Sequence, residues 1–230
     1  MRLLVYILCI ICIIWILKEC RQLHIHPLES EIIDVQSLHL STIETMWESH
    51  SPLLIVNVIV PPITISSIIK DNPGYIINDN GKMILLESCE TQDISIYKNI
   101  GLSTLCTQSP EIKEWSKILS SWSTCNMKQY ISFHKGYHTI PLQTCTHNYM
   151  LLGVLSSSAI VYIIHPKHAK DIIHKQNNEI KKWSQKVVLK PGSLLVIPSS
   201  WLYFYECKGD VIIYHQEADS YSTFLYNSLR

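Results

Sequence analysis

The chain has 230 residues, with 19 Lys and Arg against 19 Asp and Glu. That balance argues against a nucleic-acid binder working through a basic surface, and 7 Gly with 10 Pro argue against a fibrous or disordered chain. The length suits one folded domain plus an appendage, and an abundance of Ile, Val, Tyr and Trp favours strands.

The appendage comes first. Leu3–Leu17 reads LLVYILCIICIIWIL, without a charged or strongly polar residue. Arg2 precedes this run; Lys18 and Arg21 follow it. As a helix it reaches about 22 Å, short of the roughly 30 Å hydrocarbon core. Snorkelling of Arg2 and Lys18 and local thinning of the bilayer extend that reach. The expectation is an uncleaved single-pass membrane anchor over 1–20, a polar linker over 21–30 and a folded domain over 31–230. A cleaved signal peptide, leaving a secreted binding protein, and a buried core helix are the alternatives. The first wants small residues at a cleavage site, and Leu17–Arg21 has none. Positive charge at both ends leaves the topology open.

Ser41-Thr42-Ile43-Glu44 has the pattern of a capping box and predicts a helix over Thr42–His50. Pro52 then opens the apolar run Leu53–Val60, a strand covered on both faces and closed by Pro61-Pro62. Tyr75–Ile77 and Met83–Leu86 flank Asn80-Gly81, a hairpin signal. Ser109-Pro110-Glu111 predicts a helix start, followed by a core-facing stripe of Ile112, Trp115, Leu119 and Trp122. From Tyr130 the chain turns strand-rich: Tyr149–Leu155, Ala159–Ile164, Val187–Leu189, Leu194–Ile197, Tyr203–Tyr205 and Val211–Tyr214, with a helix from Pro166 to His174 and a last helix over Ser220–Leu229. Short strands closely spaced predict a barrel or sandwich.

Cys89, Cys106, Cys125, Cys145 and Cys207 carry no C-x-x-C, so neither a zinc site nor a disulfide framework is expected in the domain. With no Asn-x-Ser/Thr sequon, they read as buried thiols on a reducing side.

The most specific stretch is Pro191-Gly192-Ser193, the apolar run Leu194–Ile197, Pro198 and Trp201-Leu202-Tyr203. With Pro141-Leu142-Gln143-Thr144-Cys145, Asn148, Ser157-Ser158-Ala159 and Val161–Pro166 before it, this order resembles the JmjC and cupin-like branch of the iron(II)/2-oxoglutarate oxygenases. Ser51–Asn57 is similar to the family's early segment, so the resemblance covers about 30–230. It implies an α+β, mainly β fold: a double-stranded β-helix, the cupin or jelly-roll barrel, with flanking helices behind a transmembrane helix. It also implies a facial triad of two His and a carboxylate on Fe(II), with a Lys holding the cosubstrate. Here the first His position is Gln143, the carboxylate position Cys145 and the distal His position Tyr203; no Lys stands near Ser157–Ala159. A thiol and a phenol must each lose a proton before ligating, and an amide is a weak ligand. The expectation is therefore no catalytic residue, no metal and no cofactor. An iron(II)/2-oxoglutarate hydroxylase with atypical ligands is the alternative.

Other groups are weaker. His134, His138 and His147, and His165, His168 and His174, read as ordinary histidines, since Gly136 and Pro141 argue against a helical i,i+4 pair. Glu87, Glu90 and Asp93 read as a solvated loop, and Lys181-Lys182 beside Trp183 as a solvated face. Trp201 and Tyr203 fall on one face of a strand and Phe204 on the other. A pocket lined by Trp201, Tyr203, Gln143 and Cys145, with Asn148 near it, is the sharper alternative to plain core packing. Together these features predict a catalytically silent cupin-like protein that binds the membrane through Leu3–Leu17, has an unidentified protein partner and binds no nucleic acid. The Ile-, Asn- and Lys-rich composition suits a large DNA virus, with the protein in a virion or host membrane.

Overall fold

The computed structural model describes residues 2–22, 31–36, 46, 49–79, 81–92, 94–118, 120, 124–172 and 174–228. The expected capping box at Ser41–Glu44, the stripe positions Leu119 and Trp122, and Asp93 lie outside these residues.

In chain order the elements are α1 (Arg2–Gln22), β1 (Ile33–Val35), β2 (Leu53–Ile55), α2 (Ile65–Asp71), β3 (Ile76–Asp79), β4 (Lys82–Leu85), α3 (Ser88–Thr91), β5 (Ile96–Asn99), α4 (Ile100–Cys106) and α5 (Pro110–Ile118). Then come β6 (Thr124–His134), β7 (Tyr137–Thr144), β8 (Tyr149–Ser156), β9 (Ala159–Ile164), α6 (Ala169–Ile172), α7 (Asn177–Ile180), β10 (Ser184–Leu189), β11 (Leu194–Pro198), β12 (Leu202–Lys208), β13 (Val211–Ser220) and α8 (Tyr221–Ser228). The fold is mixed α and β and mainly β.

One sheet has the strand order β1-β2-β11-β8-β13-β6-β5, a second β10-β9-β12-β7, and β3-β4 stands as a hairpin. The two larger sheets share a core. Met150, Leu152, Val154, Leu195, Ile197, Val211 and Ile213 meet Val161, Ile163, Val187, Leu189, Tyr203 and Tyr205 in the space between them. Alternation along each strand sends the intervening residues outward. Behind the seven-stranded sheet, Leu151, Leu194, Val196, Ile212 and Tyr214 pack with Ile112 and Trp115 of α5 and Leu102 of α4. Behind the four-stranded sheet, Tyr162, Ile164, Leu202 and Phe204 pack with Ile172 and Ile180.

Several sequence signals are met. Asn78 Oδ1 accepts from Gly81 N–H over 2.9 Å in the hairpin turn, and Gly81 takes φ 85°, a conformation open to glycine. Ser109 Oγ accepts from Ile112 N–H over 3.2 Å at the start of α5, whose Ile112 and Trp115 are buried. Pro191-Gly192 makes the turn into β11, with Gly192 at φ 94°.

Other expectations are corrected. The strand expected over Leu53–Val60 stops at Ile55, because Asn57 adopts φ 61° and turns the chain. The helix expected from Pro166 to His174 is a 3-10 turn over Pro166–His168 followed by α6. The strand expected over Val211–Tyr214 runs on to Ser220, held on one side by β6 and on the other by β8. β7 was not legible as a strand, since it contains Pro141; it lies at the edge of its sheet, where a missing N–H is tolerated.

Helix α1 carries apolar side chains on every face, and those of Leu3–Ile14 are exposed throughout. That stretch amounts to about 18 Å of helix. Among the described residues, no helix is long and apolar enough to cross a membrane.

Candidate functional site

The side chains expected at the mouth of the domain come together. Tyr203 on β12 pairs with Gln143 on β7, and the Tyr203 phenol donates to Gln143 Oε1 over 2.6 Å. Gln143 Nε2 in turn donates to the Tyr97 hydroxyl over 2.6 Å. Cys145 is held by its backbone: its N–H donates to Trp201 O, and its own carbonyl accepts from Ser200 N–H, each over 2.8 Å. Its thiol is buried in the same inter-sheet core as Tyr203 and Trp201, with Ile197 O at 3.5 Å. Trp201 packs edge-on against His165 and donates its indole N–H to His50 O over 2.8 Å. Asn148 enters through its carbonyl, which accepts from Ser199 N–H over 3.0 Å.

A larger polar set surrounds these residues, and most of it comes from strands that gave no functional signal. Val211 and Ile213 face the inter-sheet core, so alternation places His215, Glu217 and Asp219 of β13 on the same face. From neighbouring β6 come Ser132 and His134, and from β5 comes Tyr97. Ser132 Oγ lies 2.9 Å from His215 Nε2 and accepts from Lys98 N–H over 2.8 Å. His134 Nε2 lies 3.2 Å from the Tyr205 hydroxyl. The ring of Tyr97 lies 6.3 Å from those of both His134 and His215.

His134 and His138 do converge, contrary to the reading of their spacing. The turn between β6 and β7 folds them onto one face, and their rings stack at 5.0 Å. His165, His168 and His174 form no such group: His165 caps the 3-10 turn by accepting from Lys167 N–H, and His168 packs on Trp183. Lys181 is also more than a solvated side chain. It makes a 2.6 Å ion pair with Glu206, whose side chain is only 8% exposed.

The rim carries alternating charge. Lys98 Nζ lies 2.6 Å from Glu217 Oε1, Glu217 Oε2 lies 3.2 Å from His147 Nε2, and His147 Nδ1 lies 2.9 Å from Asp219 Oδ1. Asn126 donates to Asp219 Oδ2 and Asn227 of α8 to Asp219 Oδ1. Burial alone would raise the Asp219 carboxyl, but the hydrogen bond and charge of His147 outweigh it and hold it below the usual range.

Inside the rim the groups are uncharged at neutral pH. Burial pushes His134 down to about 4 and His215 well below the ordinary imidazole value. Burial also raises the Tyr203 and Tyr205 phenols well above theirs and pushes the Cys145 thiol up to about 12. The buried Nδ1 atoms of His134 and His215 have no hydrogen-bond partner.

These donors do not fit Fe(II) with 2-oxoglutarate. The Gln143 amide is engaged by two phenols, the Tyr203 phenol and Cys145 thiol keep their protons, and Lys98 is taken by Glu217. The inner face of β9, beside Tyr203, is Ala159, Val161 and Ile163, which offers no cation to a carboxylate. Among the described residues, no group of three or more His, Cys, Asp or Glu side chains is placed to hold a metal ion.

What the sequence did contain was the period-two series His215, Glu217, Asp219, which on any strand shares one face. Tyr97 and Lys98 had no such signal. No protein-family model matches the chain, nor does any curated protein.

Proposed function

We propose that the chain is a membrane-anchored, catalytically silent protein of the JmjC and cupin-like class, its domain kept as a binding or structural module. The strand order supports a double-stranded β-helix. β6, β8, β11 and β13 sit in one sheet and β7, β9, β10 and β12 in the facing one, so from β6 to β13 the chain crosses between sheets at every step except the antiparallel pair β9–β10, in the manner of a jelly roll. The exposed apolar side chains of Leu3–Ile14 in α1 support the anchor: such a surface is costly in water and at home in lipid.

The observation that carries the silent reading is the 2.6 Å bond between Tyr203 and Gln143. Two positions that hold metal ligands in the resembling enzymes satisfy each other here. The test is metal analysis of the full chain purified in detergent, together with oxygen-dependent decarboxylation of 2-oxoglutarate. No stoichiometric iron and no turnover are expected. Stoichiometric iron with turnover would replace this reading by that of a hydroxylase with atypical ligands.

A further inference from the structure

The C-terminal helix exposes an apolar stripe. Tyr221, Phe224 and Leu225 are 53%, 43% and 54% exposed. Their spacing of i, i+3, i+4 places them on one face of α8. The opposite side of the helix is anchored: Thr223 is fully buried, its N–H donates to Ser220 Oγ, and α8 packs on β13 and β6. No charged residue occurs in Tyr221–Ser228, so laying the stripe on a hydrocarbon boundary desolvates no ion. α1 touches α8, which sets the stripe beside the apolar helix.

We propose that the α8 stripe is a second membrane contact, resting in the headgroup–acyl boundary of a phospholipid bilayer beside the point where α1 enters it. This rests on the anchor reading and adds to it. The apolar run Leu3–Leu17 of α1 reaches about 22 Å, under the roughly 30 Å of a hydrocarbon core. An interfacial helix of three large apolar side chains supplements so short an anchor. Tyr and Phe suit that depth, since their rings are favoured at the membrane–water boundary. A foot on α8 also fixes how the domain stands. β6 starts beside α8, where Thr124 pairs with Ser220, and its far end is about 34 Å away. The two-sheet domain would then stand with the β6–β7 turn held off the bilayer.

The test places a photo-crosslinking benzoylphenylalanine, one site at a time, at Ile10, Phe224 or Tyr137 of the full chain. Each variant is reconstituted in phosphatidylcholine vesicles carrying alkyne-tagged acyl chains. All three sites are exposed, at 55%, 43% and 68%, so the label disturbs no core. Lipid adducts at 10 and 224, with none at 137, are expected. An adduct at 10 alone, or a protein adduct at 224 in place of lipid, overturns the α8 contact and leaves the anchor standing. Adducts at all three sites also overturn it, because the domain then touches lipid without a preferred face. No lipid adduct at any site removes the anchor and the α8 contact together.

Discussion

Tyr203 and Gln143 face each other across β12 and β7 because β7 carries one residue too many. The register steps from Tyr203 opposite Gln143 to Tyr205 opposite Ile140, so Pro141 and Leu142 together oppose Phe204. Such a bulge reverses the alternation of the strand. Ile140 faces the inter-sheet core, Leu142 packs on the outer side with Phe204, and Gln143 and Cys145 turn inward again. Without the extra residue, Gln143 would point away from Tyr203.

The bond so formed is testable as a pair. Tyr203→Phe leaves Gln143 Oε1 without its donor, a loss of about 1–3 kcal/mol for a buried polar group. Gln143→Leu removes the partner of both Tyr203 and Tyr97 and falls in the same range. The double variant should lose less than the sum, with a coupling of at least about 0.5 kcal/mol by urea denaturation. Additive losses would show that the two side chains do not depend on each other.

A second prediction concerns the contact between β8 and α5. A Cβ on Gly153 would come 2.6 Å from Leu194 Cδ2 and 3.0 Å from Trp115 Cζ3. Trp115 is itself fixed edge-on against Tyr214, so it cannot swing away. Gly153→Ala should therefore cost about 1–3 kcal/mol as overpacking, read as a lowered melting temperature. Adding Leu194→Ala removes the nearer clash, so the double variant should lose less than the two single changes added together. A Gly153→Ala chain as stable as the native one would mean that the α5 contact is looser than these distances state.

The ion pair behind the four-stranded sheet gives a third. Glu206 is nearly buried between Lys181 and the Tyr162 hydroxyl. Lys181→Met should leave the carboxylate short of its partner. Breaking a fully buried pair costs about 3–5 kcal/mol; because the Lys181 side chain is 30% exposed, solvent screening reduces this to about 1–2 kcal/mol. Lys182→Met, one residue on, should change stability by less than about 0.5 kcal/mol. Equal effects of the two substitutions on urea midpoints would refute the distinction.

How much of this was legible follows from which signals are local. The hairpin turn at Gly81, the Ser109 cap and the Pro191-Gly192 turn depend on residues close in sequence, and they form as expected. The strand Leu194–Pro198 was legible because its apolar run is bounded by a turn and a proline. β7 was hidden by Pro141 and by the bulge, which breaks period-two alternation at the point where it matters for the site. The second half of β13 was hidden because polar residues on a strand usually mark its end. His215, Glu217 and Asp219 continue the strand only because Ser132, Lys98 and His147, distant in sequence, satisfy them. The nearness of Gln143 and Tyr203 was only implied by the family resemblance; their bond and the engagement of Tyr97 with Gln143 required the fold.

The silent reading predicts that the site can be refilled. Gln143→His, Cys145→Asp and Tyr203→His together restore two imidazoles and a carboxylate, the donor set of a facial triad. The register brings positions 143 and 203 face to face, and the backbone ties position 145 to Trp201, two residues from 203. The triple variant should bind Co(II) with visible d–d absorption, whereas the native chain should show none. The pair Gln143→His/Tyr203→His, which leaves the buried thiol untouched, should bind more weakly through two imidazoles. Absorption of equal strength in the native chain would sink the reading, as would none in both variants when each is folded by circular dichroism.

Acid should loosen the domain well before its carboxylates titrate. His134 and His215 have folded pKa values held below the ordinary imidazole value by burial, His134 down to about 4. The unfolded chain takes up these protons near pH 6.5, so below that pH the unfolded state binds more protons than the folded one. Stability then falls as pH falls. The contribution of His134 is complete above about 6.5 and is lost between there and about 4, a change of roughly 3 kcal/mol. His215 acts in the same direction. Asp219, with its carboxyl held low by His147, adds to the loss only below about pH 4. Thermal unfolding of the full chain from pH 7.5 to 4.5 should show a melting temperature that drops steadily below 6.5. His134→Phe should flatten that slope while lowering stability at pH 7.5, since it also removes the Tyr205 contact. A native chain equally stable at 6.5 and 4.5 would mean that these two imidazoles are not held neutral in the folded state.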